Sequence, residues 1–323
     1  MDFIAKNIAE VAPSMTLSIT SQAKALKKQG VDVLSFGAGE PDFNTPAPII
    51  AAAIEALNTG KTRYTESNGI IELREALASK LMVDNNVQYE ASQISVNCGA
   101  KHSCYNAILA VVNPGDEVII PAPYWTSYPE MVRLVGGIPV IVETKRENGW
   151  KLTPDEFEDA MSPMTKMIIL NTPGNPTGSV YTKDELKALG DIAAGEGIVI
   201  LSDEIYEKLV YGGHEHVSIA SLSKEIYDHT ITINGFSKAY AMTGWRLGYT
   251  AAPKAFADAI DKIQSHTVSN ATTFAQYDVI VDNWTPYPET KRTWPAATEK
   301  AFLDYIMIPS SFWLLVILLF IDV

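Results

Sequence analysis

A single lysine, Lys238, lies between an apolar run and a glycine turn. The surrounding residues, 234–249, read NGFSKAYAMTGWRLGY, and Arg246 follows the lysine by eight positions. A lysine that is partly desolvated near other cations has a depressed pKa, so its amine can attack a carbonyl and form a Schiff base. Arg246 could bind a phosphate group through two parallel hydrogen bonds. The alternative for Lys238, considered alone, is an ordinary surface lysine.

Two further segments place polar side chains where apolar runs end. Asp203 ends the run VILSD, with Tyr206 three residues later, and Asn175 lies in the turn LNTPGNPTG. Ligands of open α/β sheets bind at the carboxyl ends of the strands. A carboxylate there needs a cationic partner or several donors to stay ionised. The alternatives are a helix cap at Ser202 or Asp203, and a common Pro-Gly turn around Asn175.

A candidate phosphate site follows the segment SVNCGAKHS. A strand-like run leads into Gly99, and the apolar residues after it recur at helical spacing. These residues are Cys104, Ala107, Ile108 and Val111. Amides at a helix N-terminus attract phosphate because they are unpaired and the helix dipole is positive there. The alternative is a plain strand-to-helix turn.

The segment GAGEPDF, residues 37–43, is not expected to bind a dinucleotide. Two of its glycines flank one residue, as in the dinucleotide fingerprint. That fingerprint has a third glycine where a helix opens, whereas Pro41 and Asp42 intervene here. A nicotinamide cofactor is therefore not predicted.

Together, these groups fit one ligand, pyridoxal phosphate. Lys238 would react with its aldehyde, Asp203 would face its ring nitrogen, and an aromatic residue such as Trp125 would stack on the ring. Helix amides and Arg246 would bind its phosphate. The sequence therefore predicts a site for this cofactor and no metal site.

The elements that must position these residues are a buried sheet and its helices. Seven short runs rich in Val and Ile alternate with helical stretches: ISVN, EVIIP, IPVIVE, KMIILN, GIVILSDE, TITING and LGYTAA. Such runs predict a largely parallel sheet covered by helices, that is, an α/β domain. Two helix starts have the spacing of a capping box, Thr153 with Glu156 and Thr182 with Glu185.

Composition excludes some partners and favours a reducing compartment. The chain has 323 residues, 47% of them hydrophobic, and a formal net charge of −13. This charge argues against sequence-independent nucleic-acid binding, which needs clustered basic residues. Cys98 and Cys104 fit neither a disulfide scaffold nor a zinc motif, so two buried thiols are expected. The N-terminus does not resemble a secretory signal, and we expect a cytoplasmic protein.

The stretch after Tyr277 differs in kind, being rich in Trp and Pro. It ends in ten consecutive apolar residues, Phe312 to Ile321. A membrane-spanning helix needs roughly 20 such residues, so membrane association through this tail is not the favoured interpretation. The alternatives are a buried segment or an aberrant tail that exposes an apolar patch.

Several motifs in order resemble those of class I aminotransferases, which are pyridoxal-phosphate enzymes of fold type I. They are GAGEPDFNTP, YTESNGIIELREA, GAKHS, PYWTSYPEM, NTPGNPTG, SDEIYEKL and NGFSKAYAMTGWRLGY. The chain looks most like the bacterial aspartate aminotransferases, a type that includes aspartate/prephenate aminotransferases. The resemblance implies three parts: residues 1–45 as the N-terminal segment of a small domain, 46–277 as the cofactor-binding large domain, and 278–323 as an atypical tail.

The resemblance also implies roles for single residues. Lys238 would hold the cofactor as a Schiff base and then move the proton between the substrate's α-carbon and the cofactor. Asp203 would bind the pyridinium nitrogen, while Tyr206 and Asn175 would bind the phenolic oxygen of the ring. Trp125 would stack on the ring face.

Further contacts are implied for the phosphate and the substrate. Phosphate contacts would come from the backbone of Ala100 and Lys101, from Ser237 and Arg246, and from Tyr64 of a second subunit, so a homodimer is implied. The backbone of Gly39 would meet the substrate carboxylate, with Trp125 and Asn175 close to the substrate. Lys101 would also meet the distal carboxylate of a dicarboxylic substrate.

The implied reaction transfers the amino group of L-aspartate to 2-oxoglutarate. The alternatives are a prephenate or broader amino-acid aminotransferase, and a chain with impaired or no catalysis. The resemblance stops at Tyr277, where family members continue through the small domain that supplies an arginine for the substrate's α-carboxylate. Arg292 lacks the context of that residue, and a frameshift, a truncation or a substituted terminus would explain the difference.

Overall fold

The computed structural model describes residues 3–9, 11–34, 39–277 and 279. The predicted tail, including Arg292 and the apolar run 312–321, lies outside the described residues, apart from Val279. Residues 35–38, which contain the first part of the GAGEPDF segment, also lie outside them. The division into domains stays a prediction.

All seven predicted strands form, and they join in one sheet. They are β1 Ile94–Asn97, β2 Glu117–Ala122, β3 Ile138–Glu143, β4 Thr165–Asn171, β5 Val199–Asp203, β6 Thr230–Gly235 and β7 Gly248–Ala251. Their order across the sheet is β1-β7-β6-β5-β4-β2-β3. The pairs among β2 to β6 are parallel, whereas β7 runs antiparallel to both β6 and β1. The prediction of a mainly parallel sheet is confirmed.

Helices cover the sheet. In the described residues they are α1 Lys6–Ala9, α2 Met15–Lys28, α3 Ala47–Asn58, α4 Ile71–Asn85, α5 Ala100–Val111, α6 Ser127–Leu134, α7 Pro154–Ala160, α8 Lys183–Gly195, α9 Lys224–His229, α10 Lys254–Thr267 and α11 Thr273–Tyr277. Both predicted capping boxes are present, at the starts of α7 and α8.

The period of two along the strands divides the core between the two faces of the sheet. In β4, Met167 and Ile169 pack with residues of α5 and α6, whereas Ile168 and Leu170 pack with residues of α7 and α8. All four side chains are almost completely buried. Successive side chains of a strand point to opposite faces, so a continuous apolar run fills both layers.

The register of the sheet brings the ends of three strands together. Asn171 at the end of β4 is level with Asp203 at the end of β5, and Asp203 pairs with Ile233 of β6. Parallel strands end at the same edge of a sheet, so residues that follow them in sequence meet there. Asn175, Tyr206 and Lys238, which follow β4, β5 and β6 in sequence, lie close together at this edge.

Candidate active site

Lys238 follows the end of β6 and is half-buried. Its ammonium group donates a hydrogen bond to the carbonyl oxygen of Gly39 and lies 5.8 Å from the centroid of the Tyr206 ring. Burial lowers the pKa of Lys238 and the nearby Arg246 lowers it further, although Glu40 acts in the opposite direction. A larger neutral fraction at a given pH makes the amine a better nucleophile.

Asp203 is almost completely buried, with 3% of its surface exposed. One carboxylate oxygen, Oδ2, accepts hydrogen bonds from the Tyr128 hydroxyl at 2.6 Å and the Cys104 thiol at 3.7 Å. The other, Oδ1, accepts from the backbone amide of Ile205 at 3.2 Å. Burial raises the pKa of Asp203, and these donors partly offset the rise. The helix-cap alternative is wrong, because the chain after β5 forms a turn and no helix begins there.

Tyr206 and Asn175 meet at the same edge. The Asn175 amide nitrogen donates to the Tyr206 hydroxyl at 3.3 Å. Asn171 holds both loops, because its Oδ1 accepts from the Asn175 backbone amide at 2.7 Å and its Nδ2 donates to the Asp203 carbonyl at 2.9 Å. Burial, and then the charge of Asp203, raise the pKa of Tyr206 to about 12. Asn171 was missed by the sequence analysis although it lies in the same motif.

The helix N-terminus expected to bind phosphate is present. Gly99 has a φ of 86°, and α5 begins at Ala100. The backbone amides of Ala100 and Lys101 have no acceptor among the residues that the structure describes. The Arg246 guanidinium donates to the Thr243 carbonyl at 2.9 Å and to the Cys98 carbonyl at 3.4 Å. The phosphate role of these groups stays a prediction.

An aromatic residue and a second lysine lie beside this helix. The ammonium of Lys101 is 4.8 Å from the centroid of the Trp125 ring. Trp125 in turn meets the Tyr128 ring edge-on at a centroid distance of 5.2 Å. Burial, followed by the charge of Arg246, lowers the pKa of Lys101. Ser237, next to Lys238, is 7% exposed.

Tyr64 is the predicted site residue that stands apart. It exposes 88% of its surface. Its predicted role places it in the site of a second subunit, so a single chain leaves that role untested.

Gly248 of β7 lies against the start of α5. A Cβ added there would meet the Gly99 carbonyl carbon at 2.6 Å and would come closer still to the Ala100 amide nitrogen. Because these neighbours are backbone atoms, the substitution Gly248→Ala must displace the first turn of α5. We expect it to weaken phosphate-dependent cofactor binding by about tenfold or more, with less effect on the folded fraction.

Titration of the chain with pyridoxal phosphate and, separately, with pyridoxal would check this prediction. The substitution Gly195→Ala is a matched control, since a Cβ there meets no atom within 4 Å. Equal cofactor affinity in the Gly248→Ala and Gly195→Ala proteins would contradict it.

A buried polar cluster under the Asp203–Tyr206 turn was missed by the sequence analysis. Glu207 accepts hydrogen bonds from the Lys80 ammonium and, at 2.8 Å, from the Asn85 amide. Glu204 accepts from Ser202 and Ser218 at 2.9 and 2.8 Å, and its other oxygen lies 3.1 Å from His216 Nε2. The signal available in sequence was that SDEIYEKL contains three carboxylates in five residues. The cluster fixes the turn that carries Asp203 and Tyr206.

Glu207 gives the stability a predictable pH dependence. Burial raises its pKa, but Lys80 and Asn85 together lower it more, so the net pKa is below the ordinary value. A carboxylate with a depressed native pKa contributes stability fully above its unfolded pKa of about 4.3, and that contribution is lost as the pH falls through the native pKa. We expect Glu207→Gln to flatten the decline of unfolding free energy below about pH 5. Urea titrations between pH 7 and pH 3 would measure it, and an unchanged slope would contradict it.

The two cysteines are free. Cys104 is fully buried, as expected, whereas Cys98 is only half-buried, so the expectation of two buried thiols is wrong for Cys98. Cys98 belongs to the turn between β1 and α5, and its carbonyl oxygen accepts a hydrogen bond from the Arg246 guanidinium. Across the part of the chain that the structure describes, no helix has the length and apolar character needed to cross a bilayer.

Comparison with known proteins agrees with this geometry. The family described as aminotransferase class I and II matches residues 31–280. An aspartate aminotransferase of Geobacillus stearothermophilus is 51% identical over 277 residues, which are 86% of this chain and 70% of that protein. A probable aspartate/prephenate aminotransferase of Aquifex aeolicus is 48% identical, again over 86% of this chain and 70% of that protein.

The solved structure of aspartate aminotransferase from Thermus thermophilus with maleate superposes with a TM-score of 0.84 at 42% identity. It covers 86% of this chain, and the chain covers 72% of it. The fold is thus that of the fold-type I aminotransferases, with a mainly parallel sheet between helices. Sequence family and fold agree with a lysine, a buried carboxylate and a phenol gathered at one sheet edge, and the chain is a member of the class I and II aminotransferase family.

Proposed function

We propose that this chain catalyses pyridoxal-phosphate-dependent transfer of the amino group of L-aspartate to 2-oxoglutarate, giving oxaloacetate and L-glutamate. The observation that carries this proposal is the convergence of Lys238, Asp203 and Tyr206 at the carboxyl edge of the sheet. Relatives named aspartate aminotransferase support the choice of substrate.

The residues present fit pyridoxal phosphate. The start of α5 offers two backbone amides without an acceptor among the described residues, beside the Arg246 guanidinium. The lack of a side chain at Gly99 lets the Arg246 guanidinium lie against the start of α5, because a Cβ there would lie 2.5 Å from Arg246 Nη2. Donors for a dianionic phosphate, an amine for an aldehyde and a buried carboxylate for a ring nitrogen are therefore grouped on one side of the sheet.

Each side chain has a definite task in this mechanism. When bound, the cofactor supplies a pyridinium ring that withdraws electrons from the substrate's α-carbon. Lys238 would hold the cofactor through its aldehyde and would carry the proton removed from the substrate's α-carbon. Asp203, whose ionised form is stabilised by its hydrogen-bond donors, would stabilise a proton on the ring nitrogen.

Other contacts would orient the ring and the substrate. Asn175 and Tyr206 would donate to the ring's phenolic oxygen, and Trp125 would cover one face of the ring. Ser237 would join Arg246 at the phosphate. Gly39, whose carbonyl accepts from Lys238, would place its backbone beside the substrate carboxylate.

Assembly and location belong to the same proposal. Tyr64 would reach the phosphate of a second subunit, so the enzyme would be a homodimer, and its exposure of 88% leaves it free to do so. Lys101, beside Trp125, would meet the distal carboxylate of a dicarboxylic substrate. We place the enzyme in the cytoplasm.

A second candidate function is transamination of prephenate. It is favoured by the relative of Aquifex aeolicus named probable aspartate/prephenate aminotransferase, and by a second such relative of Cereibacter sphaeroides. Rates with prephenate, aspartate and phenylalanine would separate the two functions. Equal rates with all three would contradict specificity for aspartate.

The visible absorption spectrum of the purified full-length chain tests the proposal directly. With pyridoxal phosphate we expect the band of the lysine-bound cofactor, and with aspartate a shift to the pyridoxamine form that 2-oxoglutarate reverses. A band that aspartate leaves unchanged would show cofactor capture without transamination. Absence of any band would contradict the cofactor assignment.

A further inference from the structure

The buried carboxylate of Asp203 accepts hydrogen bonds from three protein donors. An ionised carboxylate has about four lone-pair sites. Three are taken in this structure, by the Tyr128 hydroxyl and the Cys104 thiol on Oδ2 and by the Ile205 amide on Oδ1. One site is left for a further donor, and in the proposed function that donor is the ring nitrogen.

Tyr128 is the strongest of the three donors and comes from a different element. Its hydroxyl lies 2.6 Å from Oδ2, and its side chain is 2% exposed on α6. A short O–H to carboxylate bond away from water is charge-assisted and strong. The same ring packs edge-on against Trp125, the predicted stacking residue. Tyr128 thus contacts two residues that are predicted to bind the cofactor, Asp203 and Trp125.

We propose that Tyr128 is a positioning residue, which fixes the carboxylate of Asp203 by donating to its Oδ2, with Cys104 as a second and weaker donor on the same oxygen. The role toward the cofactor rests on the proposed function, whereas the role toward Asp203 does not. Tyr128 touches neither substrate nor reacting atoms in this assignment, because it acts through Asp203 and Trp125.

The groups that face Asp203 come from four elements. Tyr128 lies on α6 and Cys104 on α5, while Glu204 and Tyr206 belong to the turn after β5 and Lys238 to the segment after β6. Burial and the neighbouring Glu204 raise the pKa of Asp203, and the donors Tyr128, Ile205 and Cys104 lower it. Removal of the Tyr128 hydroxyl should therefore raise this pKa.

The first measurement needs no cofactor. In the full-length chain with ¹³C-labelled aspartate carboxyl groups, NMR titration gives the protonation midpoint of Asp203, assigned by its loss in Asp203→Asn. We expect Tyr128→Phe to raise this midpoint by about one to two pH units, and Cys104→Ala to raise it less. The matched control is Tyr181→Phe, which removes another buried hydroxyl, one that accepts from the Leu152 amide at 2.8 Å.

An unchanged midpoint in Tyr128→Phe would overturn the proposal, whatever the cofactor does. If the loss of the Tyr128 hydroxyl weakens the fold, the Cys104→Ala protein still provides a test. An unchanged midpoint of Asp203 in that protein would show that Cys104 is not a donor that stabilises the ionised carboxylate.

A second measurement connects Tyr128 to the cofactor. We expect Tyr128→Phe to weaken binding of pyridoxal phosphate by about tenfold and to change the pH midpoint of the bound cofactor's absorption band, while Tyr181→Phe changes neither. If the unsubstituted chain shows no band, the proposed function fails and the NMR result still decides the role of Tyr128. If the band forms and both variants match the unsubstituted chain, the proposed function stands and the link from Tyr128 to the cofactor is overturned.

Discussion

Replacing Lys238 by alanine is expected to lower the rate of amino-group transfer by about 10⁴-fold, because in the proposed function one amine both anchors the cofactor and moves the proton. The side chain donates to the Gly39 carbonyl, lies over the Tyr206 ring and has a pKa lowered first by burial. Single-turnover absorbance changes with aspartate would measure the loss.

Two further variants sharpen the Lys238 experiment. Lys238→Arg keeps a positive charge but provides no nucleophilic amine, so it should be nearly as inactive as the alanine variant. Lys187→Ala removes a lysine from an exposed ion pair with Asp191 and should leave the rate unchanged. Transamination that survives in Lys238→Ala would refute the assignment of the anchoring amine.

Replacing Lys80 by methionine is expected to lower the free energy of unfolding by about 3 to 5 kcal/mol. Lys80 and Glu207 expose only 5% and 7% of their side chains, so the variant leaves a buried carboxylate without its cation. Asn85 remains as a donor to Glu207. Urea unfolding at pH 7, followed by circular dichroism, would measure the change.

The exposed pair Lys187–Asp191 is the matched control for Lys80. Its side chains are 44% and 53% exposed, and Lys187→Met should cost less than about 1 kcal/mol because solvent screens such pairs. The double variant Lys80→Met with Glu207→Leu should recover much of the loss, since apolar replacement of a whole buried pair is often neutral. A small loss in Lys80→Met, similar to that of the control, would show that the cluster is not what holds the turn after β5.

Local patterns were sufficient to predict the strands and to place several candidate site residues at one edge of the sheet. Each of the seven strands is a short apolar run, and the last residues of neighbouring parallel strands meet at one edge, as Asp203 and Asn171 do. The antiparallel direction of β7 was not predictable in the same way, because GYTA is as completely buried as TITING in β6, a strand that pairs in parallel with β5. Strand direction is set by the path of the connecting chain, which periodicity does not encode.

Two of the residues that the sequence analysis missed, Tyr128 and Lys80, lie far from their partners in sequence. Tyr128 lies 75 residues before Asp203, and Lys80 lies 127 residues before Glu207. A pattern within a window of about 11 to 18 residues carries no information on such pairs. Cys98 was predicted wrongly for a related reason: its exposure depends on the turn that Gly99 makes next to Arg246, not on the hydrophobicity of a thiol.

The position of β1 in the sheet determines when the sheet can form during synthesis of the chain. β1 is at the edge of the sheet, and its neighbour among the described strands is β7, whose residues 248–251 pair with residues 94–97. About 150 further residues must be translated before that partner exists, which takes on the order of ten to thirty seconds at ordinary elongation rates. During that interval β1 lacks its partner strand, so the sheet can be completed only after most of the chain has been synthesised.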